Sequence, residues 1–177
     1  MPLTLLTGGA RSGKSALAIH RAAESGRPVV FVATAEPLDP EFAQRIERHR
    51  AERPAGWTLV EEPVALESTI RAAPGDACVV VDCLSLWVAN LLDRQFPEEA
   101  VLGAARGAAG TAAARVGPAI AVTNEVGSGL VPATPLGRAY RDLLGRVNRI
   151  WADAADQAGL VVVGRVLELA RWSGVEA

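Results

Sequence analysis

Residues 8–15 read Gly8-Gly9-Ala10-Arg11-Ser12-Gly13-Lys14-Ser15, which fits the phosphate-loop pattern G-x-x-x-x-G-K-[ST]. An apolar run, Leu3–Thr7, comes directly before this stretch, and a helical pattern, Lys14–Ser25, begins inside it. In such a loop the backbone N–H groups and the following helix N-terminus bind phosphate, while the lysine reaches the β- and γ-phosphates. We therefore predict that Gly8–Ser15 binds the phosphates of a nucleotide, with Lys14 as a catalytic cation and Ser15 as a Mg²⁺ ligand.

Lys14 is the only lysine among the 18 Lys and Arg residues of the chain. A phosphate-binding loop of this kind needs a compact ammonium on a flexible stem rather than a broad, planar guanidinium. The one position that keeps lysine therefore marks where the chain binds phosphate. The same composition argues against a signalling GTPase, because the N-K-x-D loop with which such switches read guanine needs a second lysine.

Length and composition are those of one soluble globular domain, residues 1–177, half of them hydrophobic, with a net charge of −2. The absence of a basic excess argues against a general nucleic-acid binder, and no apolar run is long enough to span a membrane. The chain enters a strand at once without a basic leader, so we expect a cytoplasmic protein. The spacing of Cys78 and Cys83 suits neither a zinc pair nor a redox motif, which predicts reduced core residues.

Short β-branched apolar runs alternate with helical patterns along the chain. The predicted strands are Leu3–Thr7, Val29–Ala33, Thr58–Glu61, Ala77–Asp82, Ala119–Thr123 and Leu160–Gly164. The predicted helices are Lys14–Ser25, Asp39–Glu52, Val64–Ala72, Leu84–Arg94, Pro97–Arg115 and Pro135–Gln157. This alternation predicts an α/β fold with a mostly parallel sheet and helices on both faces. Gly26 is expected to end the first helix, Thr134 to cap the last, and the Ala/Gly-rich stretch Gly103–Gly117 to form a surface helix.

Ligands of open α/β sheets bind at the carboxyl ends of the strands, which makes the residues just after each strand candidates for the site. Asp82 ends an apolar strand, as does the carboxylate that holds Mg²⁺ in phosphate-loop NTPases; its alternative role is to cap the helix that follows. The stretch 124–127 either places polar groups over a substrate or forms a turn in which Gly127 and Gly129 supply positive φ angles. Both alternatives stay open.

The predicted helix Asp39–Glu52 places arginines around one of the two histidines, with Arg45 and Arg53 one turn either side of His49 and Arg50 next to it. An imidazole among guanidiniums has a lowered pKa, because its cationic form is disfavoured beside like charge. His49 would then be a neutral nucleophile that attacks a phosphate and forms a phosphoramidate. The alternative is a solvated, charge-laced helix with an incidental histidine.

Several stretches carry a more specific pattern: Thr7–Ser15, Ala33-Thr34, Arg45-Ile46 with His49-Arg50 and Arg53-Pro54, Val81–Trp87, Val122–Pro132 and Gly145–Asn148. Together they resemble the bifunctional adenosylcobinamide kinase / adenosylcobinamide-phosphate guanylyltransferase family of cobalamin synthesis. The resemblance extends over nearly the whole chain. Members of the family also carry Glu at the position of Asp82. The Ala-rich stretch Gly103–Gly117 matches nothing in the family pattern.

The resemblance implies two reactions on one phosphate-loop NTPase scaffold. In the first, the γ-phosphate of ATP or GTP passes to a hydroxyl of adenosylcobinamide, a corrinoid. In the second, His49 attacks the α-phosphate of GTP, and the guanylylated histidine passes GMP to adenosylcobinamide phosphate. The resemblance also implies Mg²⁺ on Ser15 and Asp82, and a trimer. Beyond the loop, the nucleotide-binding residues it implies are Thr34, Ala35, Arg50, Arg53, Glu61 and Asp82.

Two other functions remain open on the sequence. A monofunctional small-molecule kinase of the same fold would use Lys14, Ser15 and Asp82 and leave His49 idle. A non-enzymatic, NTP-dependent switch that binds a partner protein would hydrolyse its nucleotide slowly and have a mobile loop at Asn124–Pro132.

Overall fold

The strands form one sheet in the order β3-β2-β4-β5-β1-β6-β7. The computed structural model describes residues 3–37, 44, 50 and 54–171. The strands are β1 Leu3–Thr7, β2 Val29–Ala33, β3 Thr58–Glu61, β4 Cys78–Asp82, β5 Ala119–Val122, β6 Gln157–Val162 and β7 Arg165–Glu168. All neighbours pair in parallel except β6 and β7, which are antiparallel.

The central strands are apolar on both faces because helices cover both faces. Every residue of β2 and β5 is buried, and in β4 only Asp82, the last residue, is not. Uniform Val, Ile and Ala runs are typical of strands that have no solvated face. The predicted α/β fold with a mostly parallel sheet is confirmed.

The described helices are α1 Lys14–Glu24, α2 Leu66–Ala72, α3 Leu84–Asp93, α4 Glu98–Ala113 and α5 Pro135–Ala154. Helix α1 packs on one sheet face through Ala18 and Ala22, against a cluster that includes Leu6 and Val80. The other four helices pack on the opposite face around Trp87. None of the helices in the described ranges is long and apolar enough to cross a lipid bilayer.

Local signals in the sequence set several helix ends correctly. Gly26 follows the last turn of α1 with a φ of +64°, and the Thr134 side chain accepts a hydrogen bond from the N–H of Gly137 at the start of α5. The Ala/Gly-rich stretch is largely helical and buries one face, including Ala105 and Ala109. Cys78 and Cys83 are buried and unbridged, as predicted.

The chain end was predicted less well. The strand expected at Leu160–Gly164 instead begins at Gln157 and ends at Val162, because Val163 and Gly164 turn the chain with φ angles of +47° and +77°. Strand β7, which then pairs with β6, was missed altogether. The helix predicted over residues 39–52 lies outside the described residues except for Gln44 and Arg50, both helical.

Candidate functional site

The phosphate loop connects β1 to α1 at the carboxyl edge of the sheet. Gly8 has a φ of +149°, and a Cβ added there would lie 2.3 Å from the carbonyl oxygen of Val161 on β6. Gly13, at the N-cap of α1, also has a left-handed backbone, with a φ of +99°. Glycine is therefore required at Gly8 both by its backbone angle and by the neighbouring strand.

Lys14 lies against this loop. Its Nζ donates hydrogen bonds to the carbonyl oxygens of Gly8, at 2.9 Å, and Gly9, at 2.6 Å, and to Ser12 Oγ, at 3.3 Å. The residue is 6% exposed, and burial lowers the pKa of the amine, an effect that the nearby Cys83 and Asp82 partly oppose. The ammonium is thus held by backbone acceptors at the place where the loop would receive phosphate oxygens.

Asp82 and Ser15 are the oxygen donors that the sequence predicts for a cation. Asp82 ends β4 and interacts electrostatically with Lys14, and Ser15 lies in the first turn of α1. No cluster of three or more His, Cys, Asp or Glu side chains suited to a metal occurs among the described residues. A carboxylate and a hydroxyl fit Mg²⁺, which takes one or two protein oxygens and completes its shell with phosphate and water.

The alternative role of Asp82, as the cap of the helix that follows, is wrong. The N-cap residue of α3 is Cys83, and no side chain there accepts a hydrogen bond from the helix. The peptide bond between Asp82 and Cys83 is cis. The N-cap position of α3 therefore belongs to Cys83, the residue after Asp82.

Thr34 is fully buried and joins the end of β2 to the residue after β4. Its Oγ1 donates to the carbonyl oxygen of Cys83 at 2.7 Å and accepts from the N–H of Cys83 at 2.9 Å. Its carbonyl oxygen accepts from Asn90 Nδ2 at 2.7 Å. The structure thus shows Thr34 fixing the backbone next to Asp82, while its predicted contact with a nucleotide stays a prediction, as does that of the half-buried Ala35.

Two ion pairs lie on the β2–β3 side of the site. Glu36 pairs with Arg94 at 2.8 Å, and hydrogen bonding from this guanidinium lowers the pKa of the Glu36 carboxyl. Arg50 pairs with Glu61 at the end of β3. The structure thus brings together two of the predicted nucleotide-binding residues, Arg50 and Glu61, whereas His49 and Arg53 lie outside the described residues.

A polar network that the sequence did not predict joins the ends of β4 and β5. Ser85 Oγ lies 2.9 Å from Cys83 Sγ and accepts from Asn124 Nδ2 at 2.9 Å. The Tyr140 hydroxyl donates to the carbonyl oxygen of Ser85 at 3.1 Å. Burial raises the pKa of Cys83 to about 11 and that of Tyr140 to about 12, so both remain protonated near neutral pH.

Asn148, on α5, holds the end of β5 with both ends of its amide. Its Oδ1 accepts from Thr123 Oγ1 at 2.6 Å, and its Nδ2 donates to the carbonyl oxygen of Asn124 at 3.0 Å. The sequence signal at this position is that Asn148 ends the stretch Gly145–Asn148, which carries the family pattern but indicates no contact with Thr123. These bonds fix the strand end from which the next loop begins.

Glu125 closes that loop. Its carboxylate accepts from the N–H groups of Gly127 and, at 2.9 Å, Ser128, and its own N–H donates to the carbonyl oxygen of Gly8 at 3.0 Å. A turn is present, but the expected positive φ angles at Gly127 and Gly129 are wrong, since a carboxylate rather than glycine backbone shapes the turn. Loop 123–128 is thereby bonded to the phosphate loop.

Residues 4–169 match the model of the family described as cobinamide kinase / cobinamide phosphate guanyltransferase. The chain belongs to this family. It is therefore an enzyme of the bifunctional class that the family name describes, a kinase and a guanylyltransferase. The resemblance inferred from the sequence motifs is confirmed.

Curated relatives agree with the family over nearly their full length. The bifunctional adenosylcobalamin biosynthesis protein CobP of Pseudomonas aeruginosa is 42% identical over 167 residues, 93% of this chain and 95% of that protein. The proteins named bifunctional adenosylcobalamin biosynthesis protein CobU are 38% identical in Escherichia coli and 40% in Salmonella typhimurium, each over 92% of this chain and 96% of the relative.

A solved structure supports the fold. The KaiC-like protein of Pyrococcus horikoshii superposes with a TM-score of 0.52 at 18% identity, over 90% of this chain and 71% of that one. At this identity the likeness concerns the fold alone.

Proposed function

We propose that this enzyme transfers the γ-phosphate of ATP or GTP to a hydroxyl of adenosylcobinamide and then attaches GMP to the phosphate formed. The observation that carries the first step is the position of Lys14, whose ammonium lies on the loop carbonyls with Asp82 electrostatically coupled to it. As negative charge builds on the transferring phosphoryl oxygens, Lys14 and the N–H groups of the loop stabilise it.

Ser15 and Asp82 are the residues that would hold Mg²⁺. When bound, this cation supplies charge neutralisation between the outer phosphates. The remaining work is done by the chain itself: the loop orients the phosphate group, and Lys14 compensates its charge.

The second reaction, in our proposal, uses His49 as the nucleophile. A ring nitrogen forms a bond to the α-phosphorus of GTP, and the bond to the bridging oxygen breaks, so that pyrophosphate leaves with the electron pair. A phosphate oxygen of adenosylcobinamide phosphate then attacks the same phosphorus, and the N–P bond breaks to release the histidine. The Arg50–Glu61 pair supports this assignment, because it fixes the residue after His49 beside β3.

The assignments of guanosine contacts to Thr34, Ala35, Arg50, Arg53 and Glu61 belong to this proposal, as do a trimeric assembly and a cytoplasmic location. The corrinoid is the small-molecule partner, and no nucleic acid takes part.

The test uses GTP labelled at the α-phosphate. The wild-type enzyme should retain label that acid removes and base does not, which is the signature of a phosphoramidate. His49→Ala should lose this label and pyrophosphate release while still phosphorylating adenosylcobinamide, because direct γ-phosphoryl transfer needs no imidazole.

His20→Ala is the matched control, because His20 is the other histidine of the chain, exposed on α1 and paired at 3.3 Å with Glu24. It should label as the wild type does. Guanylylation by His49→Ala at more than about a hundredth of the wild-type rate would exclude His49 as the nucleophile and favour a monofunctional kinase. Slow hydrolysis without transfer to the corrinoid would instead favour the NTP-dependent switch.

A further inference from the structure

The turn between β6 and β7 lies directly against the phosphate loop. The N–H of Gly164 donates to the carbonyl oxygen of Ser12 at 2.8 Å, and a Cβ added to Gly13 would lie 3.4 Å from the Cα of Gly164. On the same side, the carbonyl of Val161 abuts Gly8. The end of β6 and the turn thus contact the phosphate loop near both ends of that loop.

Sheet order places this turn on the side of the loop away from Asp82. Strand β1 has β5 and then β4, which carries Asp82, on one side, and β6 and β7 on the other. A nucleoside triphosphate has its cation-binding phosphates at one end and its nucleoside at the other. With the outer phosphates facing Asp82, the nucleoside must lie toward the β6–β7 turn.

The turn is built in an unusual way. Val162 pairs with Arg165, which leaves Val163 and Gly164 as a two-residue connection, and both have positive φ angles, +47° and +77°. Such turns are usually formed by Asn-Gly or Asp-Gly, and a β-branched residue with a positive φ is strained. Val163 is nevertheless 85% exposed, so no packing within the described protein explains why an apolar, β-branched side chain is kept there.

We propose that the tip of the β6–β7 hairpin, residues 162–165, is the subsite for the nucleoside of the nucleotide that donates its γ-phosphate in the kinase step. The guanosine contacts proposed on the β2–β3 side belong to the GTP of the second reaction. Val163 offers apolar surface to the flat face of the purine, and the exposed Arg165 offers a planar guanidinium that stacks on it. Contacts of this kind read the face of a base rather than its hydrogen-bonding edge, so the subsite accepts either purine in the γ-phosphate donor. This inference rests on the proposed binding of a triphosphate at Gly8–Ser15.

The test compares ligands with and without a nucleoside. Dissociation constants for ATP and inorganic tripolyphosphate, both with Mg²⁺, are measured by calorimetry for the wild type and for Val163→Asn. Asparagine tolerates a positive φ, so the variant should unfold at an equal or higher urea concentration than the wild type. It should bind ATP about fivefold or more weakly, because apolar contact area is lost, and bind tripolyphosphate unchanged.

Val116→Asn is the matched control, since Val116 is 86% exposed and lies just before β5, at the amino edge of the sheet and away from the phosphate loop. It should bind both ligands as the wild type does. Arg165→Ala tests the second contact and should also weaken ATP binding without changing tripolyphosphate binding.

Three outcomes would refute either the nucleoside subsite or the phosphate site. Unchanged ATP binding in Val163→Asn would overturn the subsite. An equal loss for tripolyphosphate would also overturn it, because the turn would then only support the loop. A wild-type enzyme that binds neither tripolyphosphate nor nucleotide would refute the phosphate site itself, which separates failure of the proposed function from failure of this inference.

Discussion

The ammonium nitrogen of Lys14 lies 2.6 Å from the carbonyl oxygen of Gly9, which belongs to the same loop. Together with the bond to Gly8, this contact holds the charge within a small radius of the backbone. The loop therefore selects a side chain by the size of its cationic head as well as by its charge.

Lys14→Arg keeps the charge and is expected to abolish the kinase step. A guanidinium is too wide for the position that the ammonium occupies between the two carbonyl oxygens. We expect kcat/KM for adenosylcobinamide phosphorylation to fall by about a hundredfold or more, near 3 kcal/mol of transition-state stabilisation. Steady-state kinetics measure this change in kcat/KM. Arg106→Lys, the opposite exchange on the exposed face of α4, is the control and should leave kcat/KM unchanged. Turnover within about threefold of the wild type would contradict the role given to Lys14.

Asp82→Asn preserves side-chain size and removes the carboxylate charge. Because Asp82 is one of only two protein oxygens that we assign to Mg²⁺, half-saturation in a Mg²⁺ titration should move to about tenfold higher concentration for both reactions. Asp93→Asn, at the exposed far end of α3, should leave the titration unchanged. If Asp82→Asn titrates as the wild type does and is normally folded, this carboxylate does not serve the cation.

Thr34→Val removes the hydroxyl at nearly constant shape and leaves the N–H of Cys83 without its partner, while the carbonyl oxygen of Cys83 still accepts from the N–H of Trp87. A buried group left unsatisfied costs about 1–3 kcal/mol, so we expect the free energy of unfolding to drop by about 1–3 kcal/mol. Thr34→Ser keeps both bonds and should lose less than about 1 kcal/mol. Urea denaturation measures both variants, and equal stability of the two would show that the hydroxyl bonds contribute little.

The elements that position the site could be predicted because their signals are local. The β-branched runs of β2 and β4 and the glycines and lysine of the phosphate loop each indicate their structure within a few residues. The carboxyl-edge rule then brought Asp82 to the phosphate loop without any contact being known.

What the sequence did not reveal depends on contacts between distant segments. Asn148 and Thr123 meet only because α5 packs back along the end of β5, and nothing in either segment indicates the other. The hairpin β6–β7 was missed because Val163-Gly164 is not a usual turn pair and because β7 is exposed at every position, which leaves no apolar alternation to detect.

The phosphate loop is held from both sides by strands that are not its own. Glu125, after β5, donates its N–H to Gly8, and Gly164, between β6 and β7, donates its N–H to Ser12. Immobilising a residue costs about 1–2 kcal/mol of conformational entropy. In this loop the entropy is lost when the protein folds, so it does not reduce the free energy of nucleotide binding. An incoming triphosphate therefore meets a preorganised anion receptor, and its affinity is not reduced by a need to order the loop.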